Sequence, residues 1–347
     1  MSGAVLLSVL ALTPLSRLSS GWLQTRITAP SLAAMVFVGG LVLALELVAL
    51  PGLAYFESRS RRRHRRGPAA VGEVLAAHAQ TSLVTLAVSV AGAAIWSLSV
   101  AVGHELWWAL AAALLAGMLV IALRLAPALL ARLADVKPIA RRDLVARLED
   151  LARRSRVALA GVHEWQVSDE SDASALVTGA GQMRRVLIAS PLLRDWSDDE
   201  IAVMVAHELA HHRHHDLHIT LLVDALFVGL AAWTADAVLG WAAPALGLGG
   251  PADLAALPML MLVAGAVWTA ATPVRHLVSR WQERRADRFA LELTNGADAF
   301  SAAIRRLSAQ HLVEERPSAV ARWFFGRHPP VAERLALADA YRRGRVS

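Results

Sequence analysis

Cysteine is absent from the 347 residues. No disulfide braces this chain and no thiolate binds a metal in it, so any metal is held by nitrogen and oxygen, which suits a hydrolytic zinc ion better than an iron–sulfur cluster. Lysine is almost absent too, since only Lys137 among the 35 basic residues is not arginine. Charge of either sign is sparse, at 18% of residues against 56% hydrophobic, and the mean hydropathy is +0.44. That excludes an ordinary soluble globular protein of this length and implies a membrane protein. The formal net charge of +6 is not read as a nucleic-acid footprint. The arginines flank apolar runs, which makes a lipid bilayer the expected partner and no nucleic acid.

Five runs are apolar enough to cross a bilayer: residues 31–56, 81–103, 106–123, 217–243 and 254–273. The first is interrupted by Glu46 and followed at once by Arg59, Arg61, Arg62, Arg63, Arg65 and Arg66. Glu46 is expected to face a water-filled cavity, because an ionisable group inside a span needs a polar partner. Only Gly103, His104 and Glu105 separate the second run from the third, which predicts a tight helical hairpin with Trp107 and Trp108 as interfacial anchors. Asp224 and Asp236 lie nearer the ends of their span and are expected to reach the interface. Loops 103–105 and 244–253 contain no Lys or Arg, so the positive-inside rule places them outside and 124–216 and 275–347 on the cytoplasmic side. The domain order expected is an N-terminal interfacial segment at 1–30, membrane helices one to three at 31–132, the first part of a catalytic domain at 133–216, membrane helices four and five at 217–274, and its second part at 275–347. A removable signal peptide is not expected at 1–30, which has no basic start and no small-residue cleavage site.

The polar segments carry the chemistry. Residues 143–156 read as an amphipathic helix with Leu144, Leu148 and Leu151 on one side, and short strands are expected at 161–167, 173–178 and 184–190. Ser197 and Glu200 then form a capping box, and inside the helix it opens stands His207-Glu208-Leu209-Ala210-His211. In this HExxH pattern both imidazoles fall on one helical face and reach one zinc ion, with Glu208 beside the water that a catalytic zinc activates. His214 and His218 follow on what the spacing makes the same stripe, as auxiliary ligands or proton relays or, preferably, an interfacial polar stripe.

A catalytic zinc needs a third protein ligand. The class that supplies it ten residues after the first histidine is excluded, because Leu217 occupies that position. Glu283 in the segment 279–287 is the candidate, with Asp287 four residues on and on the same helical face to orient a ligand histidine. By spacing alone that segment reads equally well as a surface helix with i,i+4 ion pairs.

With HExxH at 207–211, Ser279-Arg280-Trp281-Gln282-Glu283-Arg284-Arg285-Ala286-Asp287, and His328-Pro329-Pro330-Val331-Ala332-Glu333-Arg334, residues 133–347 resemble the membrane zinc metallopeptidases that include the type I CAAX prenyl proteases and the heat-shock protease HtpX. The fold implied is mainly α, a multi-pass α-helical membrane protein with a zincin-type metallopeptidase domain containing a small β-sheet. The resemblance implies one zinc ion per chain on His207, His211 and Glu283, Glu208 as general base, and Asp287 as the partner of a ligand histidine. It also implies that His328 and Arg334 contact the substrate backbone and support the developing oxyanion. The family's substrate-binding edge strand, usually marked Asn-Ala, corresponds here to Ser174-Ala175. An aspartate stands in the HtpX branch where Asp216 stands. The function expected is a membrane zinc endopeptidase acting on peptide or membrane-protein substrates at the cytoplasmic face, in quality control or processing. The alternatives are CAAX-type C-terminal processing and a non-catalytic membrane sensor or scaffold.

Overall fold

The computed structural model describes residues 2–63, 71–133, 136–166, 174–179, 181–310 and 318–344. It divides into two units, Met1–Met118 with Ala225–Ala270 and Leu119–Asp224 with Ala271–Ser347. Its helices are α1 (Ser2–Leu12), α2 (Leu15–Gln24), α3 (Pro30–Arg63), α4 (Val71–Gly103), α5 (Trp107–Leu133), α6 (Arg142–Arg154), α7 (Ser190–Asp195), α8 (Asp198–Arg213), α9 (Asp216–Leu246), α10 (Leu257–Thr294), α11 (Ala297–Gln310), α12 (Ala319–Phe324) and α13 (Val331–Arg342). The strands are β1 (Val136–Pro138), β2 (Gly161–Trp165), β3 (Ala175–Thr178) and β4 (Arg185–Ala189).

The first unit is the apolar one. Among the described residues, stretches within Pro30–Gly52, Thr81–Leu125, Asp216–Leu246 and Leu254–Thr294 are long and apolar enough to cross a membrane. The pair Gly3–Leu12 and Leu15–Gln24, bent by 77°, passes the same test if taken as one span. The 45 residues of Thr81–Leu125 would make a straight helix ~68 Å long, twice the ~30 Å hydrocarbon core. The chain instead reverses at His104, which takes a left-handed φ of 46°. A Cβ on Gly103 would lie 3.7 Å from the Leu110 Cβ, whereas residues seven apart along a helix are ~10 Å apart. The hairpin turn is therefore present, although α4 finds its main partner in α3.

Small side chains let these helices approach closely, with Ala33, Ala34 and Val38 of α3, Ala93 of α4, Ala111 of α5 and Ala235 of α9 in one buried cluster. One expectation is corrected here. Trp107 is buried in that cluster, not at the lipid surface, and its Nε1–H donates to Asp236 Oδ1 at 2.7 Å. Asp236 thereby has a hydrogen-bond partner within the unit. Glu46 meets His78 Nε2 at 2.9 Å and accepts from Ser82 Oγ at 3.1 Å, so its described partners are side chains of α4. The arginine side chains of the 59–66 cluster lie outside the described residues.

In the second unit a four-stranded sheet runs in the order β1-β2-β4-β3. β2 and β4 are parallel, and β1 and β3 pair antiparallel at the two edges. The expected strands are shorter than anticipated, Val167 and Ala173 lying outside the described residues, and the three-residue β1 carries too little pattern to be read in sequence. α6 lays Leu144, Leu148 and Leu151 against Val162, Val186 and Ile188 of the sheet and Ile201, Val205 and Leu209 of α8. The other side of α8 gives Val203 to a second cluster with Leu291, Phe300, Ile304 and Val331. Burial on two sides explains why α8 has no single apolar face. Its start is fixed by the expected capping box, Glu200 N–H donating to Ser197 Oγ at 3.3 Å and Ser197 N–H to Glu200 Oε2 at 2.9 Å.

Candidate metal centre

α8 and α10 build the centre. His207 and His211 sit one turn apart on α8, and Glu283 faces them from α10. Their Nε2 atoms are 3.3 Å apart, and Glu283 places Oε2 3.5 Å from His207 Nε2 and Oε1 3.6 Å from His211 Nε2. Three ligands at ~2.0–2.1 Å from a tetrahedral zinc ion lie ~3.3–3.4 Å from one another. The donor set, two imidazoles and a carboxylate, therefore fits zinc in chemistry and in spacing.

Each of the two histidines turns its other nitrogen to a carboxylate. His207 Nδ1 meets Asp287 Oδ1 at 3.0 Å and His211 Nδ1 meets Asp216 Oδ2 at 2.7 Å. That fixes both rings with Nε2 toward the metal position and raises their basicity. Each carboxylate is held by an arginine in turn: Arg334 donates from Nε and Nη2 to Asp287 at 2.8 and 2.5 Å, and Arg285 donates to Asp216. Gln282 adds a bond from Nε2 to the Asp216 carbonyl at 3.0 Å. In the metal-free site burial on its own lowers the His207 pKa, but the carboxylates of Asp287 and Glu283 outweigh it and raise the group to about 10. Burial pushes the Glu208 carboxyl above its ordinary range against the pull of His207 and His211.

The remaining expected residues fall as follows. His328 reaches the centre, with Nδ1 2.7 Å from Glu283 Oε2. Arg334, which the resemblance assigns to substrate, gives both of its described hydrogen bonds to Asp287. The stripe of His214 and His218 does not exist, because α8 ends at Arg213 and His215 takes a left-handed φ of 59° before α9 begins. His214 packs edge-on against Phe289 and His218 against His215. Asp224, expected at the interface, accepts from Arg275 at 2.7 and 3.3 Å.

Ser174 and Ala175 lie at the outer edge of the sheet. Ala189 N–H donates to Ser174 O at 2.9 Å, so by antiparallel alternation the backbone groups of Ala175 and Val177 point to the open side of β3. Among the described residues no strand pairs with that side. Val177 O accepts there from His212 Nε2 at 3.0 Å, while Arg184 Nε donates to His212 Nδ1 at 3.3 Å and fixes the neutral tautomer. This contact ties the edge strand to the HExxH helix and was missed in the sequence, as was Arg280, whose Nη1 donates to the carbonyls of Arg322 and Gly326 at 2.9 and 2.7 Å. Arg284 meets Glu333 Oε1 at 2.5 Å. One stripe of α10, residues 280, 284 and 287, thus holds the segment that presents His328, and the alternative of a solvated surface helix is set aside.

A multi-helix membrane unit combined with a zincin-type unit in which His207, His211 and Glu283 converge defines a membrane metallopeptidase fold. The family model for peptidase family M48 matches residues 138–342, and the chain belongs to that family. It is 27% identical over 219 residues to an uncharacterized metalloprotease, YhfN, of Bacillus subtilis, covering 59% of this chain and 49% of that one. It is 27% identical over 201 residues to a protease HtpX homolog of Bacteroides fragilis, covering 50% of this chain and 62% of that one. The chain thus spans about half to three-fifths of the length of these relatives. The crystal structure of S. mikatae Ste24p superposes with a TM-score of 0.72 over 88% of this chain and 75% of that one at 18% identity, which is a likeness of fold.

Proposed function

We propose that this protein is an integral membrane, zinc-dependent endopeptidase that cleaves peptide or membrane-protein substrates at the cytoplasmic face, in membrane-protein quality control or processing. The observation that carries the reading is the triangle of donors at 3.3, 3.5 and 3.6 Å on His207, His211 and Glu283. Zinc held there would act as the Lewis acid for the scissile carbonyl. Glu208 would take a proton at its carboxylate from the attacking water and return it to the leaving amine, a task suited to a base whose pKa burial has raised. His328, whose Nδ1 meets Glu283 Oε2 at 2.7 Å, would donate to the developing oxyanion. The open side of β3 at Ala175 would align an extended substrate by backbone pairing. The cytoplasmic orientation rests on loops 103–105 and 244–253, which carry no Lys or Arg.

The test is Glu208→Gln in purified protein. Stoichiometric zinc with loss of cleavage of an unfolded protein is expected, and the same variant should trap native substrates. Wild-type cleavage by Glu208→Gln would refute the mechanism. Loss of cleavage with no zinc bound by the wild type either would refute the metal assignment.

A further inference from the structure

Beside the metal centre, α12 and the residue after it expose an apolar surface that the chemistry does not use. Val320 is 67% and Phe325 81% exposed, with Trp323 and Phe324 also at the surface and Arg322 and Arg327 interleaved with them. This segment is not adrift. Trp323 O accepts from His276 Nδ1 at 3.2 Å, and Arg280 holds the carbonyls on either side of the aromatics, those of Arg322 and Gly326. α10 exposes a further apolar face of its own through Val274, Leu277 and Trp281.

Its level along α10 is set by charge. From Asp224 to Arg275, which pair with each other, the intervening sequence contains no Lys or Arg and only Asp236 and Asp253 as acids. That ion pair therefore marks the edge of the apolar stretch. Trp323 meets α10 at His276, one residue past it, and Glu283 follows seven residues later, ~10 Å further along the axis. Trp, Phe and Arg side by side at that depth have the composition of a membrane–water interface. A groove for apolar peptide would not need exposed arginines on both flanks.

We propose that Val320, Trp323, Phe324 and Phe325 form a bilayer-docking element, seated among the headgroups and acyl ends of the membrane, which fixes the His328 segment against the lipid surface. The metal centre then works within ~10 Å of the bilayer, on chain segments just emerging from it. This inference rests on the reading of the chain as membrane-embedded and not on its catalytic activity.

Because the chain has no cysteine, single reporters can be placed without background. Phe325→Cys, Val320→Cys, Asp298→Cys on the exposed start of α11 and Leu83→Cys on the exposed face of α4 would each carry an environment-sensitive fluorophore in nanodiscs containing spin-labelled lipid. Zinc stoichiometry would verify folding. Strong quenching is expected at Leu83, at Phe325 and at Val320, and at least fivefold less at Asp298. Quenching at Leu83 but at neither α12 position, beyond that at Asp298, overturns the docking element. Absence of quenching at Leu83 overturns the membrane reading beneath it. A label at Phe325 that unfolded casein protects and lipid does not quench assigns the patch to peptide and likewise overturns the proposal.

Discussion

At the scale of single residues, the two histidines of the candidate metal centre are governed by what stands behind them. His207 lies between Asp287 and Glu283, and in metal-free protein it holds a proton up to about pH 10. The stability this charge lends the metal-free protein is full below the ordinary histidine value of 6.5 and is lost as pH rises through about 10. Zinc has to displace the same proton. Apparent zinc affinity should therefore rise about tenfold per pH unit between pH 7 and 9, measurable with a competing chelator, and a flat profile would contradict the assignment. Arg334 supplies a second test. Both its described bonds go to Asp287, so Arg334→Gln should weaken zinc binding by ~10–100-fold at constant protein fold. A raised KM with unchanged zinc affinity would return Arg334 to the substrate.

At the scale of elements, what was legible in the sequence is what helical period alone dictates. Ser197 with Glu200 announced the start of α8, the HExxH spacing put His207 and His211 on one face of it, and the four-residue spacing put Glu283 and Asp287 on one face of α10. The break at His215 was not legible, since a left-handed residue between His214 and Asp216, both polar, leaves no pattern. Nor were the partners of Trp107, Asp224 and Arg280, because a residue 129, 51 or 42 positions away chooses them. The last of these matters for function. α10 runs unbroken from its apolar stretch through Glu283, and Arg280 on it clasps the segment before His328. Charge-assisted hydrogen bonds of this kind are worth roughly 1.5–3 kcal/mol each. Arg280→Ala should release that segment and lower kcat/KM by ~10-fold or more while zinc stoichiometry is kept. Lost zinc in this variant would show that Arg280 supports the ligands themselves.

At the scale of the whole molecule, the sequence places the candidate metal centre in two stretches separated by a pair of apolar helices, His207 and His211 before them and Glu283 after. The proposed orientation rests on the arginine distribution and not on the fold. The loop between α9 and α10 has no basic residue, whereas 275–347 is rich in arginine. A membrane-impermeant maleimide applied to intact cells should therefore label Gly249→Cys, at an exposed position in that loop, and leave Asp298→Cys unlabelled until the membrane is permeabilised. The reverse pattern would put the metal centre outside, where cytoplasmic quality control is impossible and a processing role on the outer face would have to replace it. Because both reporters sit in an otherwise cysteine-free chain, each labelling event reports one loop.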